Sequence, residues 1–146
     1  MSTLVFRRPA DEPGLEAWRH VHNVIVPPAA LSLDEVRERA GRNLLEVVHL
    51  GDVLVGCTTV RPPKDGSPAA TVIARVLPGH RGRGFGGELY ERALEQARTL
   101  GAEVIETVVL ASNSDGLRFA LKHGFAETER YVLPGGTAEW VDLRLT

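Results

Sequence analysis

The 146-residue chain carries one cysteine, Cys57. An internal disulfide framework is thereby excluded, and such sparse cysteine use fits a reducing cytoplasm. No run approaches the roughly 18 apolar residues that a membrane span requires. The opening stretch, MSTLVFRRPADEPG, lacks the apolar core of a secretory leader. A large charge of either sign is also missing, since 17 basic and 19 acidic residues leave a formal net charge of −2. That balance speaks against a nucleic-acid partner held by a broad basic surface. The expectation is a cytoplasmic protein with neither nucleic acid nor membrane among its partners.

Several chemistries are excluded by missing motifs. The histidines are scattered, and His20 and His22 are two apart, so they do not share a helix face. With no H-E-x-x-H and no cysteine–histidine cluster, no metal site is expected. No G-x-S-x-G is present to make a hydrolase elbow. No Gly-Lys-Ser/Thr follows a glycine run, which excludes a P-loop.

What remains reads as one globular domain over residues 1–146. TLVFR (3–7) is a short strand. Asp11 caps a helix with Pro13 in its first turn, and Leu15, Trp18, Val21 or His22, and Ile25 form its apolar face. VPPAAL is an irregular link. Ser32 and Glu35 match a capping box for a second helix ending near Gly41. Residues 44–50 and 53–60 around Gly51-Asp52 read as a hairpin. ATVIARV (70–76) reads as a central, buried strand, with Arg75 as its odd polar residue, at a bulge or in a groove. A glycine loop, a helix closed by Gly101, a strand at 104–110 and a short helix closed by Gly124 follow. A hairpin ends the chain, with Val141, Leu143 and Leu145 alternating against Trp140, Asp142 and Arg144. The predicted order is β-α-α-β-β-β-α-β-α-β-β, with one central parallel pair.

The segment HRGRGFGGELY (80–90) holds two overlapping anion-binding patterns. Gly82, Gly84 and Gly87 spell G-x-G-x-x-G, the dinucleotide fingerprint. That fingerprint belongs in the first βαβ unit, with an acidic residue about 20 positions on. Here it follows three antiparallel strands, and the next strand ends in Val109, Leu110 and Ala111. Arg81, Gly84 and Gly86 spell R-x-x-G-x-G, which suits its context better. Its glycines let backbone N–H groups approach a pyrophosphate at a helix N-terminus. Arg81 and Arg83 add charge for a ligand with several phosphate groups.

With Val76 and Pro78 the loop reads V-x-P-x-x-R-x-x-G-x-G, and Asn113 precedes Gly124-Phe125. On these residues and on element order across nearly the whole chain, the sequence resembles the GNAT superfamily of acyl-CoA-dependent N-acetyltransferases. The resemblance implies an α/β (α+β) fold with a mixed, mostly antiparallel sheet and a central parallel β-α-β pair. It implies acetyl-CoA as co-substrate, with Ala74, Arg75 and Val76 along the pantetheine arm. The Val76 backbone N–H would polarise the thioester carbonyl. Arg81, Gly82, Arg83, Gly84, Phe85, Gly86 and Gly87 would surround the pyrophosphate. Asn113 matches an asparagine that touches pantetheine, and equally reads as a helix N-cap.

The sequence departs from the family pattern at the proton-transfer positions. Ala120 stands where many members carry a tyrosine acid, and Val108 and Ala70 where some carry a glutamate base. Glu106 and Tyr131 are weak substitutes. The resemblance implies direct transfer of acetyl to a primary amine of a small molecule or peptide. The alternative is an acyl-CoA-binding domain with little transferase activity, regulatory or one half of a tandem pair. A homodimer or a second such domain is a possible partner.

Overall fold

In the computed structural model, residues 3–146 are described. Seven strands form one sheet: β1 (Leu4–Arg7), β2 (Leu44–Leu50), β3 (Val53–Arg61), β4 (Ala69–Val76), β5 (Val104–Leu110), β6 (Phe125–Val132) and β7 (Glu139–Leu145). Their order across the sheet is β1-β2-β3-β4-β5-β7-β6. Only β4 and β5 run parallel. Four helices accompany them: α1 (Glu12–Ile25), α2 (Leu33–Arg42), α3 (Phe85–Thr99) and α4 (Ser114–Lys122). The fold class expected from the sequence is the fold observed.

Local signals set most of the boundaries. Asp11 accepts from the Gly14 N–H at 2.9 Å and caps α1. Ser32 and Glu35 complete a reciprocal capping box at α2, satisfying two N-terminal donors at once. That helix runs past the expected stop. Gly41 lies inside it, Arg42 is its last residue and Asn43 is the C-cap, because nothing forces a left-handed turn at Gly41. Short 3-10 turns at Pro27–Ala29 and Pro78–His80 replace what reads in sequence as irregular link and loop.

The sheet has apolar packing on both sides. Trp18, Val21 and Val36 of α1 and α2 pack with Leu45, Val47 and Cys57 on one face. Tyr90, Ala93 and Ala97 of α3 pack with Val60, Val72, Ile105 and Leu143 on the other. Strand alternation produces this division, since neighbours in sequence point to opposite faces. The bulge lies in β3. Val48 pairs with Gly56 and His49 with Leu54, leaving Val55 extra. Arg75 sits opposite Cys57 in an unbroken β3–β4 ladder, so it does not mark a bulge. A Cβ on Gly56 would stand 2.3 Å from the Arg75 carbonyl oxygen; only glycine lets β4 approach here.

Candidate active site

The parallel pairing of β4 and β5 covers only Ala69–Thr71 against Val104–Glu106. Beyond it both strands continue, but β5 follows β7 and parts from β4. The gap opens a cavity of about 570 Å³ between Val72–Val76 and Thr107–Leu110. The parting also leaves backbone groups without a ladder. In antiparallel pairs, bonded and non-bonded positions alternate. Leu77 donates its N–H to the Val55 carbonyl at 2.9 Å. Val76, the next position, is therefore a non-bonded pair with Gly56, and its N–H faces the cavity.

The glycine loop closes one end of this cavity. Gly84 is the N-cap of α3 in a left-handed conformation, φ +82°, which strains any residue with a Cβ. Phe85, Gly86 and Gly87 form the first turn of α3, where backbone N–H groups have no intrahelical acceptor. Gly86 is also needed for packing, because a Cβ there would meet the Phe119 ring at 2.9 Å. Arg81 donates from Nε to the Val76 carbonyl at 3.0 Å and pairs with Asp115 at 3.3 Å. It thus ties the end of β4 to the start of α4. Arg83 lies 4.7 Å over the Phe85 ring and reaches His80. Phe85 itself is buried against Val48, Val55 and Leu89. Cations and free amides therefore converge on the mouth of the cavity, a combination suited to phosphate groups.

Asn113 caps α4, accepting from the Gly116 N–H at 3.0 Å. It also lines the cavity, and its amide nitrogen donates to none of the described residues. The structure brings Ala74, Arg75, Val76, Arg81, Gly82, Gly84, Phe85, Gly86, Gly87 and Asn113 to one cavity, with Arg83 beside its mouth.

Glu106 and Tyr131 are not in its lining. Glu106 accepts from Arg144 at 2.9 Å. Tyr131 donates its hydroxyl to Asp142 at 2.8 Å, and burial together with that carboxylate pushes its pKa up to about 12. Both are committed elsewhere. Ala120 and Val108 present methyl groups to the cavity, while Ala70 is fully buried in the core. Among the lining residues not singled out in the sequence as site residues are Tyr90 and His123, edge to face at 5.2 Å. His123 places Nδ1 2.9 Å from the Phe119 carbonyl, to which it donates. Tyr90 lies in an apolar helix stripe, which reads as core. No sequence signal distinguishes it.

The opposite side of β4 has a different character. Arg75 turns away from α3 and hydrogen-bonds the Cys57 sulfur. Burial pushes the Cys57 thiol up to about 12. His22, stacked 5.3 Å from Trp18, is lowered to about 4 by burial first and then by Arg75. It is neutral at physiological pH. Among the described residues there is no cluster able to hold a metal ion. No helix among them is long and apolar enough to cross a membrane.

The model of the acetyltransferase (GNAT) family matches residues 11–125. No curated protein matches the chain. Solved structures match across almost its full length. One is yncA from Salmonella typhimurium with its cofactor acetyl-CoA, at 20% identity and TM-score 0.75, covering 98% of this chain and 93% of that one. Another is the ribosomal-protein-S18-alanine N-acetyltransferase from Escherichia coli, at 17% identity and TM-score 0.76, with coverage of 98% and 93%. A third is a Bacillus subtilis acetyltransferase in complex with CoA, at 21% identity and TM-score 0.72, with coverage of 99% and 98%. At such identities the likeness is one of fold. Structures of that fold have been solved with acetyl-CoA and with CoA.

Proposed function

The chain belongs to the GNAT acetyltransferase family, and from that premise we propose that it moves an acetyl group from acetyl-CoA directly to a primary amine. The observation that carries this reading is the parting of β4 from β5 beside a glycine loop. It supplies, in one cavity, an unpaired Val76 N–H and an anion-binding helix start.

Residues of the chain divide the work by position. The amides of Gly82 to Gly87, with Arg81 and Arg83, hold the phosphate end. The exposed edge of Ala74–Val76 aligns the arm, and the Asn113 amide supports it from α4. The Val76 N–H is a fixed dipole aimed where negative charge develops, and such a donor needs no reorganisation. Acetyl-CoA, when bound, supplies the activated acyl group: a nitrogen–carbon bond forms, the carbon–sulfur bond breaks, and CoA leaves as a thiol with the proton lost by the amine. The walls at Ala120 and Val108 offer no acid or base, so the amine reacts in neutral form and its proton leaves through water. Proximity and carbonyl polarisation then carry the rate.

Those same apolar walls favour a second reading, a domain that binds acyl-CoA with little transfer. Calorimetry with acetyl-CoA, with NAD as control, followed by thiol release over an amine panel, separates the two. Saturable acetyl-CoA binding and turnover by the chain alone support the transferase. Binding without turnover supports the second reading. No binding removes both.

A further inference from the structure

The arginines sort by partner. Eight hold a carboxylate. Arg7, Arg8 and Arg98 are exposed and face water. Arg83 stacks on Phe85 at the loop. Three are left: Arg39, Arg61 and Arg75. Among the described residues none of these has a carboxylate within ion-pair distance, yet the fold draws them together.

Arg61 and Arg75 lie on the same face of β3 and β4, since Arg61 registers with Thr71 and Arg75 with Cys57. This is the α1/α2 face, where Cys57 packs with Trp18 and Val36. Arg39 is half-buried one helical turn after the fully buried Val36, on the side of α2 turned to that face. Burial first, and then neighbouring cations, hold all three below the usual arginine range: Arg42 acts on Arg39, Arg39 and Arg42 on Arg61, and Arg61 and Arg39 on Arg75. Arg75 lines the cavity from this side together with Ile25, Val26 and Trp140. Its protein acceptor is the Cys57 sulfur, a protonated thiol that balances no charge. A guanidinium carries five N–H donors, so most are left for something else. Of the nearby acids, Asp142 accepts from Tyr131 and also attracts Arg61, Glu106 accepts from Arg144, and Glu35 and Glu38 attract Arg39 from its own helix while bonded to Ser32 and Arg42. His22 below is neutral. The cluster is on the face opposite α3 and the glycine loop, so it is not part of the phosphate cradle.

We propose that Arg75, Arg61 and Arg39 form an anion-recognition site for the acceptor, so that the amine acetylated by this chain carries a carboxylate near its nitrogen, as an amino acid does. The inference rests on the transferase reading and adds the substrate class. It also bears on the missing base. Three cations around the bound molecule disfavour its ammonium form, which raises the fraction of neutral, nucleophilic amine without a proton acceptor on the protein.

The test uses the whole chain saturated with acetyl-CoA, the common L-amino acids and their C-terminal carboxamides as probes. Thiol release gives kcat/KM, and calorimetry gives binding. At least one amino acid is expected to exceed its carboxamide by about tenfold or more, the worth of one charge-assisted bidentate contact. Arg61→Gln, at the open rim, should raise KM for that amino acid and erase the preference, with acetyl-CoA affinity unchanged. Arg61→Lys should restore part of it. Arg75→Gln should also erase the preference and raise KM further; should that variant not fold, the rim substitutions still decide. Carboxamides used as well as the amino acids, or a preference untouched by Arg61→Gln, would overturn the inference. So would acetyl-CoA binding with no amino acid bound or acetylated. Failure of acetyl-CoA to bind would instead remove the transferase reading beneath it.

Discussion

Two single residues separate competing accounts of the cavity. A Cβ at Gly84 would meet no protein atom within 4 Å, so a side chain there leaves the protein's own packing undisturbed and acts on whatever the loop holds. Gly84→Val should cost about 1–3 kcal/mol in stability from its left-handed φ and lower the melting temperature by several degrees. The folded variant should bind acetyl-CoA at least about tenfold more weakly, by calorimetry; unchanged affinity would misplace the phosphate site. Tyr131 is the opposite case. Its hydroxyl is bound to Asp142, and with a pKa near 12 it is a poor proton donor at neutral pH. Tyr131→Phe should therefore leave turnover within about threefold of the parent, which is less than 1 kcal/mol in the barrier. A loss of a hundredfold or more in thiol release would restore Tyr131 as the acid.

At the scale of elements, the joint between β3 and β4 governs the site, because β4 must hold its line where β5 leaves it. Gly56→Ala would drive a methyl group against the Arg75 carbonyl, 2.3 Å away. Backbone cannot yield as a side chain does, so the variant should lose about 2–4 kcal/mol in chemical denaturation. A loss under 0.5 kcal/mol would mean that the bulge absorbs the change. The bulge itself was not legible in the sequence. Gly56 and Arg75 are ordinary members of two apolar runs, and only their pairing reveals the contact. Elements with local causes were legible: the caps at Asp11 and Ser32, the apolar stripe of α3, and the glycine start of that helix. Gly41 misled, since glycine stops a helix only where the next turn requires a left-handed residue, and here Asn43 caps in an extended conformation.

For the whole molecule, the same distinction separates the two ends of the cleft. The proposed phosphate end lies within a dozen consecutive residues and could be read from them. The proposed acceptor end draws on α1, α2, β3 and β4, and its arginines look like three solvated charges until the fold sets them on one face. Burial first, and then the charges of Arg75, Arg39 and Arg61, act on the His22 imidazole, with a global consequence. His22 is held at about 4 against an ordinary 6.5, so the unfolded chain binds a proton more readily than the folded one between those values. Stability then rises with pH across that window. The contribution is fully present above about 6.5 and is lost as pH falls through 4, amounting to up to about 3 kcal/mol by the conversion of pKa shift to energy. Carboxylates also titrate near the lower end, so the measurement is a comparison. Denaturation curves at pH 7, 6, 5 and 4 should fall less steeply for His22→Gln than for the parent, with the gap opening below pH 6.5. Parallel curves would mean that the ring keeps its proton in the fold, and that burial and the neighbouring arginines together do not hold it neutral.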